Sequence, residues 1–246
     1  MRDAIGSPRV RDLVLGPMPL RVMPGPCVRF ARTVQSNASA EETALVASQD
    51  VALAAAILQL AYALRPKGGP DIQTVLDAIR SLGPGILKSL AEGGGWEPLD
   101  EATMNDLHIP AVHEHSRVVS ERAAWALAAS ASTRPLAMQA GTAGFFHDLG
   151  KLVVMSKAAD SCRRLGGWSD GGIPSADLLD REREAFGATH AEIGADLLAL
   201  WGFPATVVEA VRLHHQEPAS HEEASPVRRA VYDANRETNR RQSCED

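Results

Sequence analysis

The chain has 246 residues, 45% of them hydrophobic and 23% charged, enough apolar material for one large domain or two small ones. A formal net charge of -6 and a pI of about 5.8 argue against a general nucleic-acid or anionic-membrane binder. Cys27, Cys162 and Cys244 are widely spaced and form no CxxC pair, which disfavours a thiolate zinc site and points to a reducing cytosol.

The N-terminus mixes Arg2, Asp3, Arg9, Arg11 and Asp12 without a long apolar run, so no signal peptide is expected. Residues 1–22 carry Pro8, Pro17 and Pro19 and no periodicity, and read as an irregular leader. A short helix is predicted over Val28 to Val34. Ser39 and Glu42 have capping-box spacing and open the next helix, and Asp50 caps the one after. That third helix, Val51 to Leu64, is the most apolar segment, but it is too short to span a bilayer and reads as buried. Pro66 to Pro70 breaks it. Ile72, Val75, Ile79 and Leu82 mark another helix with Gly83 as its C-terminal cap, followed by a helical turn over Ile86 to Leu90. Gly93-Gly94-Gly95 is the best internal boundary, dividing an N-terminal helical part (23–95) from a larger one (96–234).

Beyond the joint, Pro110 opens a long helix through Val112, His115 and Val119, and Pro135 opens the next. The latter carries Ala140, Ala143, Gly144, His147 and Lys151 on one side, small residues that let another helix approach. Gly166 to Pro174 reads as a loop. Thr189 and Glu192 again have capping-box spacing, Gly202 ends that helix, and Pro204 starts one that carries His214 and His215. Residues 235–246 are polar and read as a frayed tail. With few aromatics, abundant alanine and no alternating pattern, the fold class is all-α.

Chemistry concentrates in Gly144-Phe145-Phe146-His147-Asp148-Leu149-Gly150-Lys151, where an imidazole and a carboxylate sit in an apolar run. Burying both is costly unless something satisfies them, and a metal ion is the usual answer. His115, His190, His214 and His215 fall on predicted helix faces or ends, and Asp233 lies in the apolar-flanked Ala230-Val231-Tyr232-Asp233-Ala234. Singly, each histidine reads as a hydrogen-bonded core residue or a helix cap. Together, imidazoles and carboxylates delivered from several helices are how bundles build metal sites. Asp148 is the carboxylate able to bridge two ions, and Lys151 would stand near a substrate phosphate, which outlines a phosphohydrolase. A structural metal site, a nucleotide site without cleavage, and a metal-free scaffold with buried histidines are the alternatives. His108, His113 and His221 are taken as surface residues.

The order His115…His147-Asp148…Asp233 resembles the HD superfamily of metal-dependent phosphohydrolases, and more specifically its HDOD (HD-related output) domains. The resemblance runs from about Met23 to Asp233. It includes Ser48-Gln49-Asp50-Val51-Ala52-Leu53, Ala78-Ile79-Arg80-Ser81-Leu82-Gly83, the Gly144 to Lys151 core, Phe186 to Gly194, Trp201-Gly202-Phe203-Pro204 and His214-His215. It implies an N-terminal helical subdomain packed on an HD-like bundle. The implied site has metal ligands His115, His147, Asp148, His190, His214, His215 and Asp233, with Asp148 and Lys151 as the catalytic pair if the chain is an enzyme. The implied cofactor is a divalent ion such as iron, manganese or zinc, and the implied role is a cytoplasmic signalling or regulatory module. A signalling protein or a small nucleotide would be its partner, with neither nucleic acid nor membrane involved. Where relatives carry Asn-Ser, this chain has Tyr62-Ala63. It also has Gln216-Glu217-Pro218 in place of the Gly-Tyr-Pro motif of related cyclic di-GMP phosphodiesterases, and Ala111 where those have a glutamate. These departures count against cyclic di-GMP hydrolysis.

Overall fold

A computed structural model describes residues 10, 12–13, 20–69, 72–93, 96–130, 132–165, 176–218 and 225–245. The all-α expectation holds: the described residues are predominantly helical, with one short two-stranded sheet. They fall into two compact units, Pro19–Met104, and Asn105–Asp246 together with Met1–Met18.

The first unit contains β1 (Leu20–Val22), α1 (Pro24–Gln35), α2 (Ala40–Ala47), α3 (Val51–Leu64), α4 (Val75–Gly93) and β2 (Trp96–Pro98). Helix α3 is its core, with Val51 to Ala55, Ile57, Leu58 and Ala61 all buried, as expected of a helix apolar on nearly every side. Asp50 starts it as foreseen: one carboxylate oxygen accepts from Leu53 N at 2.9 Å. The other oxygen accepts from Met23 N at 2.6 Å and so pins the start of α1. Gly83 (φ 68, ψ 170) interrupts α4 and Pro84 follows, so the expected cap and the helical turn beyond it both form. Strands β1 and β2 pair in parallel, and Leu99 N donates to Val22 O at 2.9 Å. That pairing keeps residues 96–99 with the N-terminal unit, and the division falls at Met104 and Asn105, later than the glycine joint suggested. Gly94 and Gly95 lie outside the described residues.

Helix α5 (Glu101–Asp106) spans that division. The second unit then contains α6 (Ile109–Ala129), α7 (Arg134–Phe146), α8 (Leu149–Lys157), α9 (Ala159–Arg164), α10 (Ala176–Phe186), α11 (His190–Leu200), α12 (Ala205–Arg212) and α13 (Pro226–Glu245). Helix α6 packs on α7 and α13, while α11 packs on α8 and α12. The small-residue stripe of α7 acts as foreseen. A Cβ on Gly144 would stand 2.9 Å from Ser120 Cα, and the Ser120 hydroxyl donates to Gly141 O at 2.8 Å, so α6 and α7 touch backbone to backbone.

Both ends of the chain differ from the sequence reading. Val10 is buried and Lys157 Nζ donates to the carbonyls of Asp12 and Leu13, so part of the expected leader is tied down. The expected tail is the second half of α13, which buries Asn235, Thr238 and Asn239. These three lie at helical spacing, but because they are polar they left no hydrophobic periodicity to read. The predicted loop from Gly166 to Pro174 lies outside the described residues. No helix among the described residues is long and apolar enough to cross a membrane.

Candidate metal centre

The His147-Asp148 pair sits at a break between helices. Helix α7 ends at Phe146 with His147 as its C-cap, Asp148 adopts φ -99 and ψ 11, and α8 begins at Leu149. In one continuous helix His147 and Lys151 would lie a turn apart on one face. Instead Lys151 Nζ reaches Asp148 Oδ2 at 2.8 Å. Gly150 makes the neighbouring approach possible. Its missing Cβ would stand 1.9 Å from His190 O, so α8 lies directly against the first turn of α11.

In each of three imidazoles Nδ1 donates, which in the neutral ring leaves Nε2 as a lone pair. His147 Nδ1 bonds Gly144 O at 2.7 Å, His214 Nδ1 bonds Val211 O at 2.7 Å, and His190 Nδ1 bonds the Glu182 carboxylate at 2.8 Å. Such outer partners fix tautomer and ring orientation in metal-ligating histidines. The Thr189–Glu192 capping box forms in full and sets the start of α11, which holds His190 in place. His190 is fully buried, as is Glu182, whose carboxylate also accepts from His190 N at 2.8 Å.

The ligand atoms form two groups that share Asp148. One is Asp148, His190, His214 and His215; the other is His115, His147 and Asp148. Asp148 Oδ1 lies 3.3 Å from His190 Nε2 and 3.7 Å from His214 Nε2, whereas Oδ2 lies 3.3 Å from His147 Nε2. His215 Nε2 faces His190 Nε2 at 2.9 Å. His115 Nε2 is taken up by Asn235 Oδ1 at 2.9 Å, an oxygen that also accepts from Asn239 Nδ2 at 3.2 Å.

Charge in the centre is strongly coupled to burial. Burial drives His115 down to about 4, with His147 adding to the effect. It pushes His214 and His215 well below the ordinary imidazole range, with neighbouring imidazoles adding to it. Burial also opposes a charge on His190, but the Glu182 carboxylate and hydrogen bonds to Asp148 and Glu182 outweigh it and raise that group. Asp148 is fully buried, yet His147 and Lys151 overcome the cost and hold its carboxyl well below the usual range.

Of the residues foreseen from sequence, His115, His147, Asp148, His190, His214 and His215 meet in one place, with Lys151 beside them. Asp233 does not: it is exposed on α13, and Asn235, two positions on, faces His115 instead. Two positions on a helix turn a side chain by about 200°. His108 is exposed as expected, His113 is buried on α6, and His221 lies outside the described residues. Glu182 and Asn235 escaped the sequence reading. Glu182 sits in the run Arg181-Glu182-Arg183-Glu184, which looks like a solvated helix face.

The residues fit a divalent ion on the structure's own terms. His147 Nε2, Asp148 Oδ1 and His214 Nε2 are buried without a hydrogen-bond partner, an expensive state unless a ligand takes up the lone pairs. Nitrogen and carboxylate oxygen donors suit first-row divalent metals.

A family model for the HDOD domain matches residues 5–217. An uncharacterized protein of Treponema pallidum is 26% identical over 215 residues, covering 87% of this chain and 41% of that protein. The chain therefore spans about two fifths of the length of that curated relative. Among solved structures, the MmoQ response regulator of Methylococcus capsulatus has a TM-score of 0.73 at 22% identity, over 90% of this chain and 87% of that one. A virulence factor of Campylobacter jejuni has a TM-score of 0.63 at 18% identity, over 92% and 80%. Both are likenesses of fold. On the family match over most of its length, the chain belongs to the HDOD domain family.

Proposed function

We propose that this chain is a cytoplasmic signal-transduction module of the HDOD family, built around an HD-type metal centre that ties its C-terminal helices together. The observation that carries this reading is the burial of the donor set. Asp148, His147, His190 and His214 are all at most 2% exposed, and Lys151 is turned inward onto Asp148. An ion there, iron, manganese or zinc, would cross-link the α7–α8 break to α11 and to the segment after α12. Metal binding to such a set becomes folding free energy. The response-regulator name of the Methylococcus neighbour is in keeping with a signalling role. The partner would be a signalling protein or a small nucleotide.

A second reading, a metal-dependent phosphohydrolase acting on a nucleotide or cyclic nucleotide, is favoured by the lysine ammonium beside the shared carboxylate. A divalent ion would supply Lewis acidity and a water of lowered pKa. The chain itself would supply Asp148 to orient both and Lys151 to balance charge on a phosphate, provided Lys151 left Asp148.

Elemental analysis of gently purified protein, with melting curves before and after chelation, tests the metal centre. Bound iron, manganese or zinc and a lowered melting temperature on chelation are expected. No metal in any preparation would remove the basis of both readings. A phosphodiester panel with added metals then separates them. No turnover is expected, and hydrolysis that disappears in His147→Ala/Asp148→Ala while partner binding survives would make the enzyme reading primary.

A further inference from the structure

Four imidazoles of the centre are held by hydrogen bonds from outside it, and one of them is held the other way round. His147, His190 and His214 are engaged at Nδ1, by Gly144 O, the Glu182 carboxylate and Val211 O. His115 is engaged at Nε2, by Asn235 Oδ1 at 2.9 Å. The unpartnered atoms follow the same division. In His147 and His214 the buried nitrogen without a hydrogen-bond partner is Nε2, whereas in His115 it is Nδ1.

A third residue sets the direction of the His115 contact. Asn235 Oδ1 also receives Asn239 Nδ2 at 3.2 Å, and the two asparagines lie one turn apart on α13, both buried. An amide oxygen has two lone pairs and no proton, so both of its partners here are donors. In the neutral ring His115 therefore carries its proton on Nε2 and its lone pair on Nδ1. The opposite tautomer would need both asparagine amides turned over, and it would leave a buried Nδ1–H with nothing to bond.

Ligation needs a lone pair. His115 stands with His147 and Asp148 as a group able to hold an ion, and its ring centroid lies 5.1 Å from that of His147. With Nε2 committed as a donor, the lone pair it can offer is that of Nδ1. The braces also differ in origin. Gly144 and Val211 lie three positions before the histidines they hold, so those contacts are made locally. The brace on His115 comes from 120 positions away and forms only when α13 docks on α6.

We propose that Asn235 and Asn239 are positioning residues of the metal centre: they fix the His115 proton on Nε2, so that His115 ligates through Nδ1, the opposite nitrogen from His147, His190 and His214. Helix α13 thereby acts on the centre through the tautomer of one ligand. This rests on the metal-centre reading above, but it fails separately from it, because the proton on His115 is observable without metal.

The test is long-range proton–nitrogen correlation NMR on the metal-free full chain with nitrogen-15 histidine, the His115 signals being identified by their loss in His115→Gln. An Nε2–H tautomer is expected for His115 and Nδ1–H for His147, His190 and His214. Zinc(II) added to saturation should then shift Nδ1 of His115 and Nε2 of the other three. Asn235→Leu should mix the His115 tautomers and lower zinc affinity about 10- to 100-fold. Asn235→Asp, which accepts through either oxygen, should keep Nε2–H, and adding Asn239→Leu to it should change nothing in the tautomer. If Asn235→Leu fails to fold, as judged by circular dichroism, Asn239→Leu alone must mix the tautomers. A proton on Nδ1 of His115 in the unmodified chain, or a zinc shift at its Nε2, overturns the proposal and leaves the metal centre standing. A pure Nε2–H tautomer in folded Asn235→Leu overturns the role given to the asparagines. No zinc shift at any of these histidines overturns the metal centre and this proposal with it.

Discussion

Gly150 and His190 meet with no room between them: a Cβ on the glycine would stand 1.9 Å from the His190 carbonyl oxygen and 2.7 Å from its carbonyl carbon. The contact brings α8, and with it Asp148, against the first turn of α11. Backbone presses on backbone, so no side chain can move aside to relieve it. Gly150→Ala should therefore cost about 3 kcal/mol or more, at or beyond the upper end of ordinary overpacking. It should also weaken metal binding more than an equally destabilising core substitution elsewhere. Urea unfolding and metal titration on the same variant check both, and an alanine accepted within about 0.5 kcal/mol would show that the approach is looser.

Glu182 should act on metal affinity through His190. Replacing it with glutamine keeps a hydrogen-bond acceptor but removes the charge that raises the basicity of the ring, so affinity should fall about 10- to 100-fold with the helical circular dichroism unchanged. Glu182→Ala removes the acceptor as well. It leaves His190 N and Nδ1 without their 2.8 Å contacts to this carboxylate in a fully buried site. A further loss of about 3 kcal/mol in stability is expected from the broken buried pair. Equal metal affinity in the unmodified and glutamine forms would dismiss the positioning role.

Acid should destabilise the metal-free protein below about pH 6.5. Burial pushes His115 down to about 4, well below an ordinary imidazole near 6.5, and moves His214 and His215 in the same direction. Between those values the unfolded chain binds more protons than the folded one, so stability is lost as pH falls. His190 shifts the other way, so its contribution is present in acid and is lost as pH rises. His115 alone accounts for about 3 kcal/mol between pH 6.5 and 4. Melting temperatures from pH 7.5 to 5 in the presence of chelator measure the slope, which His115→Gln should flatten. A curve flat down to pH 5 would contradict it.

Asp50 carries a separate prediction for the N-terminal unit. Its two oxygens hold Leu53 N and Met23 N, and the side chain is fully buried. Asp50→Ala should cost about 2 to 4 kcal/mol, more than an exposed cap, because a buried donor and a half-buried one lose their acceptor together. Asp50→Asn keeps one acceptor oxygen and should recover about half of that. Chemical denaturation of the three forms gives the order directly.

Local features were the easiest to read. Asp50, Thr189 with Glu192, Gly83 and Gly202 all mark helix ends where expected, because a cap is a bond or a backbone angle within a few residues of its own position. The Gly144 stripe was legible for a similar reason: small residues at helical spacing imply close approach whatever the partner. Asp233 went the other way. Its apolar neighbours make Asp233 look inward-facing, but the inward face of α13 is set by Asn235, Thr238 and Asn239, a polar face that imitates a solvated one.

Glu182 shows the same limit from the other side. Four alternating charges on α10 give no hint that one of them is buried, and the decision belongs to His190 eight positions away. Lys151 was placed near His147 by helical spacing, and the break at Asp148 sent it to the carboxylate instead.

By itself, the sequence determined the helical class, the helix ends and the set of imidazoles around one His-Asp pair, since propensity, capping and residue chemistry act over a few positions. Only the tertiary structure decided which atom of each side chain faces the centre. His115 gives its Nε2 to an asparagine 120 positions away, and Asp148 divides its oxygens between an imidazole group and a lysine. Those choices are made by packing among helices far apart in the chain, where burial makes every unpaired donor or acceptor costly and so selects its partner.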